Sequence, residues 1–381
     1  MRKTFLYRLY PNKVQLAKLD SLLGIAGDLY NAALEERRYA YELRGKSLNY
    51  YDQANEIKEL RKDIPEMAQL NFSATQDILR RLEGSFKAFF RRIKNGDKAG
   101  YPRFKGFNRF TSITFPAYGD GIKIKDTRLY IQNIGLIKIK LHRELQGRIN
   151  TVAIKRVCDK WYAVFSNTVE ISPLPVSNKQ VGIDMGIESF AVTSDEEFTQ
   201  NPHYLAVGQA KLRKAQRKVS RRKKGSSNRR KAVKLLARRH IKIANQRKDF
   251  AHKVVRQIVN TYGFIAVEDL QIRNMVKNHH LAKSISDVSW GEFLDILSYK
   301  AEWAGREFIK INPNGTSQVC SACGSKVPKD LSVRIHNCPD CGISLNRDLN
   351  AALNILALGR SVWDQTCGGS QGVSQEAVCF S

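Results

Sequence analysis

Residues 181–195 read VGIDMGIESFAVTSD. This is an apolar strand interrupted by one carboxylate, Asp184, with Gly186 following. A carboxylate inside an apolar strand is costly unless a cation or a hydrogen-bond donor meets it. Two later segments carry acids in comparable settings: FIAVEDL (264–270) with Glu268, and NRDLNAALNIL (346–356) with Asp348. Each has a plain structural explanation. Asp184 can be a satisfied core acid, Glu268-Asp269 can cap a helix, and Asp348 can sit at a helix start because the dipole favours it there.

Their order says more than any one of them. A strand with Asp, a strand ending in Glu and a helix starting with Asp match a ribonuclease H-like sheet, where three acids converge at one edge. Such a set holds two divalent cations roughly 4 Å apart, which activate a water and stabilise the leaving oxygen of a phosphodiester. Carboxylate ligands suit Mg²⁺ or Mn²⁺ rather than zinc.

The 381 residues are long for one core, so two or three domains are expected. Lys and Arg number 64 against 36 Asp and Glu, a formal charge of +28. So basic a chain repels itself unless a polyanion neutralises it, which makes nucleic acid the leading partner and an anionic membrane surface the competitor. There is no apolar run of roughly 18 residues and no signal-peptide pattern, so no membrane and a cytosolic or nucleoid location are expected.

Around the central stretch the chain is punctuated clearly. Residues 3–10 alternate as a strand, and Leu16, Leu19, Leu22, Ala26, Leu29 and Ala33 begin a long helix ending near Gly45. A second helix is expected over 53–62. A third has Ser73 as N-cap and a stripe of Ile78, Leu82, Phe86, Phe89, Phe90 and Ile93, which reads first as core. KAGYPRFKGFNRF (98–110) interleaves cations with aromatics, a pattern that grips phosphates while stacking bases and equally suits a loop plugging a core. Short alternating segments then follow to about residue 171 and predict a small antiparallel barrel, joined by strand 3–10 and interrupted by the helices. SPLPVSNK (172–179) is the hinge candidate.

Between Lys211 and Lys248 stand eighteen Lys or Arg and no Asp or Glu, with GSS (225–227) splitting the run into two helices. Without acidic partners along its length, its repulsion needs relief from outside, and phosphate is the expected counter-charge. Tyr101, Arg103, Lys105, Arg221, Arg222, Lys223, Lys224, Arg229, Arg230, Arg238 and Arg239 are the nucleic-acid-binding candidates.

Four of the seven cysteines form two C-x-x-C pairs, Cys320/Cys323 and Cys338/Cys341, each followed by Gly. Four thiolates close a tetrahedral site with no open position, so a structural Zn²⁺ is expected; an iron–sulfur centre is the alternative. The separation of the pairs is slightly below the usual ribbon range. Cys158, Cys367 and Cys379 read as ordinary thiols.

RLYPNKVQ (8–15), GYPRFKG (100–106), GIDMGIESFAVTS (182–194), AVEDL (266–270), NGTSQVCSACG (314–324), CPDCG (338–342) and NRDLNAALNI (346–355) together resemble the TnpB family. These are transposon-encoded RNA-guided DNA nucleases similar to compact type V CRISPR effectors. The resemblance runs to about Gly359. It implies a multidomain α+β architecture: a wedge-type β-barrel (1–10 and 108–172), a helical recognition lobe (11–107), a ribonuclease H-like RuvC domain (176–315 and 344–360) and a zinc-binding insertion (316–343), while the Gly/Ser/Gln-rich composition of 361–381 reads as a disordered tail. It also implies that Asp184, Glu268 and Asp348 are catalytic, with a guide RNA from the transposon end and target double-stranded DNA as partners. A monomer on its RNA is expected, with a dimer as the alternative. Relatives usually carry an acid where Asn346 stands and an aromatic where Asn314-Gly315 stands. Competing readings are a nuclease-inactive RNA-guided regulator, a strand-transfer transposase, and, from the GIDMG loop, an actin-like ATPase. The last lacks a second Gly-rich phosphate loop.

Overall fold

The computed structural model describes residues 1–106, 109–330 and 333–367. The chain divides between Glu170 and Ile171 into two compact units.

The first unit is built on β1 (Arg2–Tyr10), whose alternation buries Phe5, Tyr7 and Leu9 on one face. The chain then leaves the sheet for α1 (Lys13–Arg44), α2 (Tyr50–Asp63), a 3₁₀ turn (Pro65–Gln69) and α3 (Phe72–Lys94). It returns as β2 (Ser112–Phe115), β3 (Ile122–Lys125), β4 (Arg128–Ile131), β5 (Gly135–Lys140), β6 (Arg148–Val157) and β7 (Lys160–Thr168). The seven strands lie in the order β2-β6-β7-β1-β5-β4-β3, every pairing antiparallel, as a nearly closed sheet. Helices α1–α3 thus stand in the chain between β1 and β2.

Local signals set the helix ends. Asn12 and Gln15 form a capping box at the start of α1, and Gly45 ends it in the left-handed region at φ 61°. Helix α2 is longer than expected because Asn49 caps it and starts it at Tyr50, three residues before the anticipated start. The cap of α3 is Asn71, not Ser73: Asn71 Oδ1 accepts from Ala74 N at 3.1 Å, while the Ser73 hydroxyl bonds Asp120. The aromatic stripe is core only in part. Ile78, Leu82 and Phe86 are buried, but Phe90 is 56% and Ile93 52% exposed.

In the second unit β8 (Gln180–Asp184), β9 (Ser189–Thr193) and β10 (Phe198–Gln200) form an antiparallel meander. The basic hairpin follows, α4 (Tyr204–Ser220) and α5 (Ser227–Thr261), broken where Gly225 and the Ser226 cap predict. Next come β11 (Phe264–Glu268), α6 (Ile272–Met275), α7 (Ala282–Val288), α8 (Trp290–Ala304), β12 (Glu307–Ile311), the short hairpin of β13 (Ile335–Asn337) and β14 (Ser344–Asn346), and α9 (Arg347–Cys367). The sheet order is β10-β9-β8-β11-β12, with β8, β11 and β12 parallel.

Both faces of this sheet are covered, which explains why β11 is buried along its whole length and apolar up to its last residue, Glu268. Val181, Ile183, Ile265 and Val267 pack against α5 and α8; Phe264, Ala266 and Ile311 pack with Ile355 of α9. Helix α9 lies so close that a Cβ at Gly182 would stand 2.1 Å from the Ala352 carbonyl oxygen. The segment anticipated as a hinge is bound to this unit: Leu174 N donates to Ala304 O at 3.1 Å and Arg306 Nη1 to Pro175 O at 2.8 Å. The tail expectation is corrected at its start. Helix α9 continues past Ser361 to Cys367, held by the Trp363 ring against Phe264 at 6.1 Å. Residues 368–381 lie outside the described residues.

Candidate metal centres

Asp184 ends β8 and Glu268 ends the adjacent parallel strand β11, where Val267 is in register with Ile183. Parallel pairing therefore delivers both acids to the same sheet edge. Asp348 arrives from the first turn of α9, placed there by Asn346. The Asn346 side-chain oxygen accepts from the amides of Asp348 at 2.8 Å and Leu349 at 3.3 Å, an N-cap that an acid could equally provide.

Asp184 senses both of the other carboxylates. Burial, then the charges of Glu268 and Asp348, push the Asp184 carboxyl up to about 8 from its ordinary 3.8. Burial also raises Glu268, opposed by the Thr316 hydroxyl, which donates to Oε1 at 2.6 Å. Arg347 is the counter-charge, with Nη2 3.0 Å and Nε 3.2 Å from Asp348 Oδ1. One guanidinium against three carboxylates leaves a partly buried negative excess made of hard oxygen donors, the donor set a divalent cation fits. The oxygens form a looser set than the cysteine sulfurs, which all lie within 4.8 Å of one another.

The cysteine cluster fits a tetrahedral metal. Cys320 Sγ lies 3.7 Å from Cys341 Sγ, and Cys323 Sγ 3.5 Å from Cys338 Sγ. A tetrahedron of thiolates about 2.3 Å from a central zinc has edges of about 3.8 Å, whereas a disulfide would bring sulfurs to about 2.05 Å. Each loop turns back identically: Gly324 N donates to Cys320 O and Gly342 N to Cys338 O, with positive φ at both glycines. His336 is fully buried beside the cluster and contacts Lys329 through Nδ1.

The cationic candidates divide. Arg221, Arg222, Lys223, Lys224, Arg230 and Arg238 are exposed on the α4–α5 hairpin, and Arg239 is half-buried. Arg229 is instead a clamp on the turn, its Nη1 donating to Val219 O at 2.8 Å and Arg222 O at 2.9 Å. In the aromatic loop Arg103 and Lys105 are exposed. Tyr101 is 44% and Phe104 48% exposed, while Phe110 is buried against Tyr30. Phe107 lies outside the described residues. The loop is thus partly a plug and partly an exposed aromatic surface, in which Tyr101 stands edge-on to Phe86 and Phe89 at 5.6 and 5.5 Å.

Sequence reasoning missed Thr316, Arg347, Asn350 and Asn354. A signal existed for the last two: two amides at i and i+4 on a helix otherwise apolar there mark a buried polar stripe.

Comparison with known proteins agrees with this layout. A family described as "Probable transposase" matches residues 163–279, and "Cas12f1-like, TNB domain" matches 290–355. A "Helix-turn-helix domain" matches 1–46, where the structure has β1 followed by the single helix α1. A "Putative RNA-guided DNA endonuclease" of Streptomyces pristinaespiralis is 32% identical over 97% of this chain and 91% of its own. "Putative RNA-guided DNA endonuclease InsQ" of Escherichia coli (strain K12) is 30% identical over 94% and 93%. The solved mini-RNA-guided endonuclease CRISPR-Cas phi3 shares the fold at a TM-score of 0.51, with 9% identity, over 94% of this chain and 92% of that one.

Proposed function

The chain belongs to the TnpB family of RNA-guided DNA endonucleases, and we propose that Asp184, Glu268 and Asp348 are its catalytic carboxylates, cutting target DNA at a RuvC-like site. One observation carries the assignment: acids from β8, β11 and α9 lie close enough together that burial, then the charges of Glu268 and Asp348, lift Asp184 to about 8. A β8–β10 meander followed by parallel β11 and β12 supports the ribonuclease H-like reading of this unit. Two Mg²⁺ or Mn²⁺ ions, when bound, would activate a water and neutralise the leaving oxygen. The protein's own part is positional. The strand ends fix Asp184 and Glu268, the Asn346 cap fixes Asp348, and Arg347 restrains Asp348 until a cation replaces it.

The cysteine cluster is read as one structural zinc, closed to substrate because all four positions are protein sulfur. The nearly closed sheet of the first unit is read as the wedge barrel, with α1–α3 as the recognition lobe. The exposed cations of α4–α5 and of Tyr101–Lys105 are read as contacts to guide RNA and heteroduplex backbone, which carry affinity rather than sequence choice. A nuclease-inactive regulator would have no physical use for three acids withdrawn from water in this way.

The test is to express the protein with its neighbouring transposon end, purify it and sequence the bound RNA. A defined RNA from that end should copurify and direct cleavage of a matched target library in Mg²⁺. Absence of any bound RNA would defeat the proposal.

A further inference from the structure

The cysteine knuckle is stitched to two of the three elements that carry acids, β11 and α9. Thr316, 2% exposed, donates from Oγ1 to Glu268 Oε1 at 2.6 Å. Its carbonyl accepts from Asn354 Nδ2 at 2.8 Å, and the same amide reaches Val319 O at 2.7 Å. One helical turn earlier, Asn350 Nδ2 donates to Val319 O at 2.7 Å while its Oδ1 accepts from Ser321 N at 2.9 Å. Asn350 is fully buried and Asn354 9% exposed. Val319 and Ser321 flank the first cysteine, Cys320, and both asparagines lie on α9 behind Asp348.

The knuckle has little else to hold its shape. Among the described residues its regular structure is two three-residue strands and one bridge between Val319 and Lys326. Its conformation therefore depends on the four sulfurs being held together. Whatever holds them also holds the 316–321 backbone, and through it the hydroxyl facing Glu268.

We propose that Thr316, Asn350 and Asn354 are positioning residues through which the cysteine knuckle sets Glu268 against Asp348, so that metal at the cysteines raises the divalent-cation affinity of the carboxylates. This rests on the carboxylates being cation ligands. Thr316 orients the Glu268 oxygen that faces it, leaving the other free for a cation, and the two amides lock the loop to the helix that carries Asp348. Coupling of this kind is reciprocal between the two sites.

The experiment is a Mn²⁺ titration followed by electron paramagnetic resonance on the full chain, with zinc content measured on each sample. Thr316→Val keeps the shape and removes the hydroxyl; it should hold zinc like the wild type and bind Mn²⁺ about 10-fold or more weakly, the usual effect of losing an outer partner of a metal ligand. Thr316→Ser should restore the affinity. Wild-type protein stripped of zinc should show the same weakening, a measurement independent of any variant's folding. Wild-type Mn²⁺ affinity in zinc-loaded Thr316→Val, or in the stripped protein, would overturn the coupling while leaving the carboxylate reading standing. Mn²⁺ binding unaffected by Asp184→Ala would overturn both.

Discussion

Asp184 is the residue at which burial, charge and function oppose one another. Its folded form keeps a proton that the unfolded chain releases near its ordinary 3.8, and gives it up only near 8. Between those values the unfolded state binds fewer protons, so rising pH destabilises the metal-free fold through this group. The contribution is fully present below about 4 and lost as pH climbs through about 8. Asp184→Asn removes the titration. Metal-free wild type should therefore lose thermal stability from about pH 5 to pH 9 relative to Asp184→Asn, by at least ~1 kcal/mol or about 2–4 °C. Mg²⁺ should abolish the difference in the wild type. Parallel melting curves for the two proteins would refute the burial of a charged cluster here. This residue was legible in the sequence because a carboxylate stands out in an apolar strand. Thr316 was not, since its partner Glu268 lies 48 positions away and nothing local marks a threonine as a donor.

At the scale of elements, α9 is the piece on which the second unit depends. It carries Asp348 at one end, packs Ile355 on the sheet and closes on Gly182 with no room for a side chain. Gly182→Ala would meet the Ala352 carbonyl and force the helix off the sheet. Overpacking of this kind costs about 1–3 kcal/mol, and it should lower both thermal stability and nuclease activity. Wild-type melting in that variant would mean the helix sits further out. The periodicity of NRDLNAALNIL, the four cysteines and the GSS break announced their elements directly. The end of α9 did not, because Gly/Ser-rich composition hides the contact between Trp363 and Phe264. The α3 cap was misread for a similar reason: two cap-type residues compete there, and Asp120, far along the chain, takes Ser73.

For the whole molecule the governing quantity is a formal charge of +28. Its densest run lies on α4–α5, and burial separates the Arg229 clamp from the exposed cations in a way charge alone could not. Replacing Arg221, Arg222, Lys223 and Lys224 together with Ala should weaken RNA binding and flatten its salt dependence by up to about 3 in the log–log slope, about 0.7 per contact. Arg229→Ala should instead lower stability by ~1–2 kcal/mol, because the turn loses the two guanidinium hydrogen bonds to the Val219 and Arg222 carbonyls. The central claim concerns the three acids. Its most direct test is cleavage of a guide-matched DNA by the purified protein–RNA complex in Mg²⁺, comparing wild type with Asp184→Ala, Glu268→Ala and Asp348→Ala at equal target occupancy. Each variant should bind the target and cut it at least about 10²-fold more slowly. Cleavage at the wild-type rate by any one of them would contradict the account.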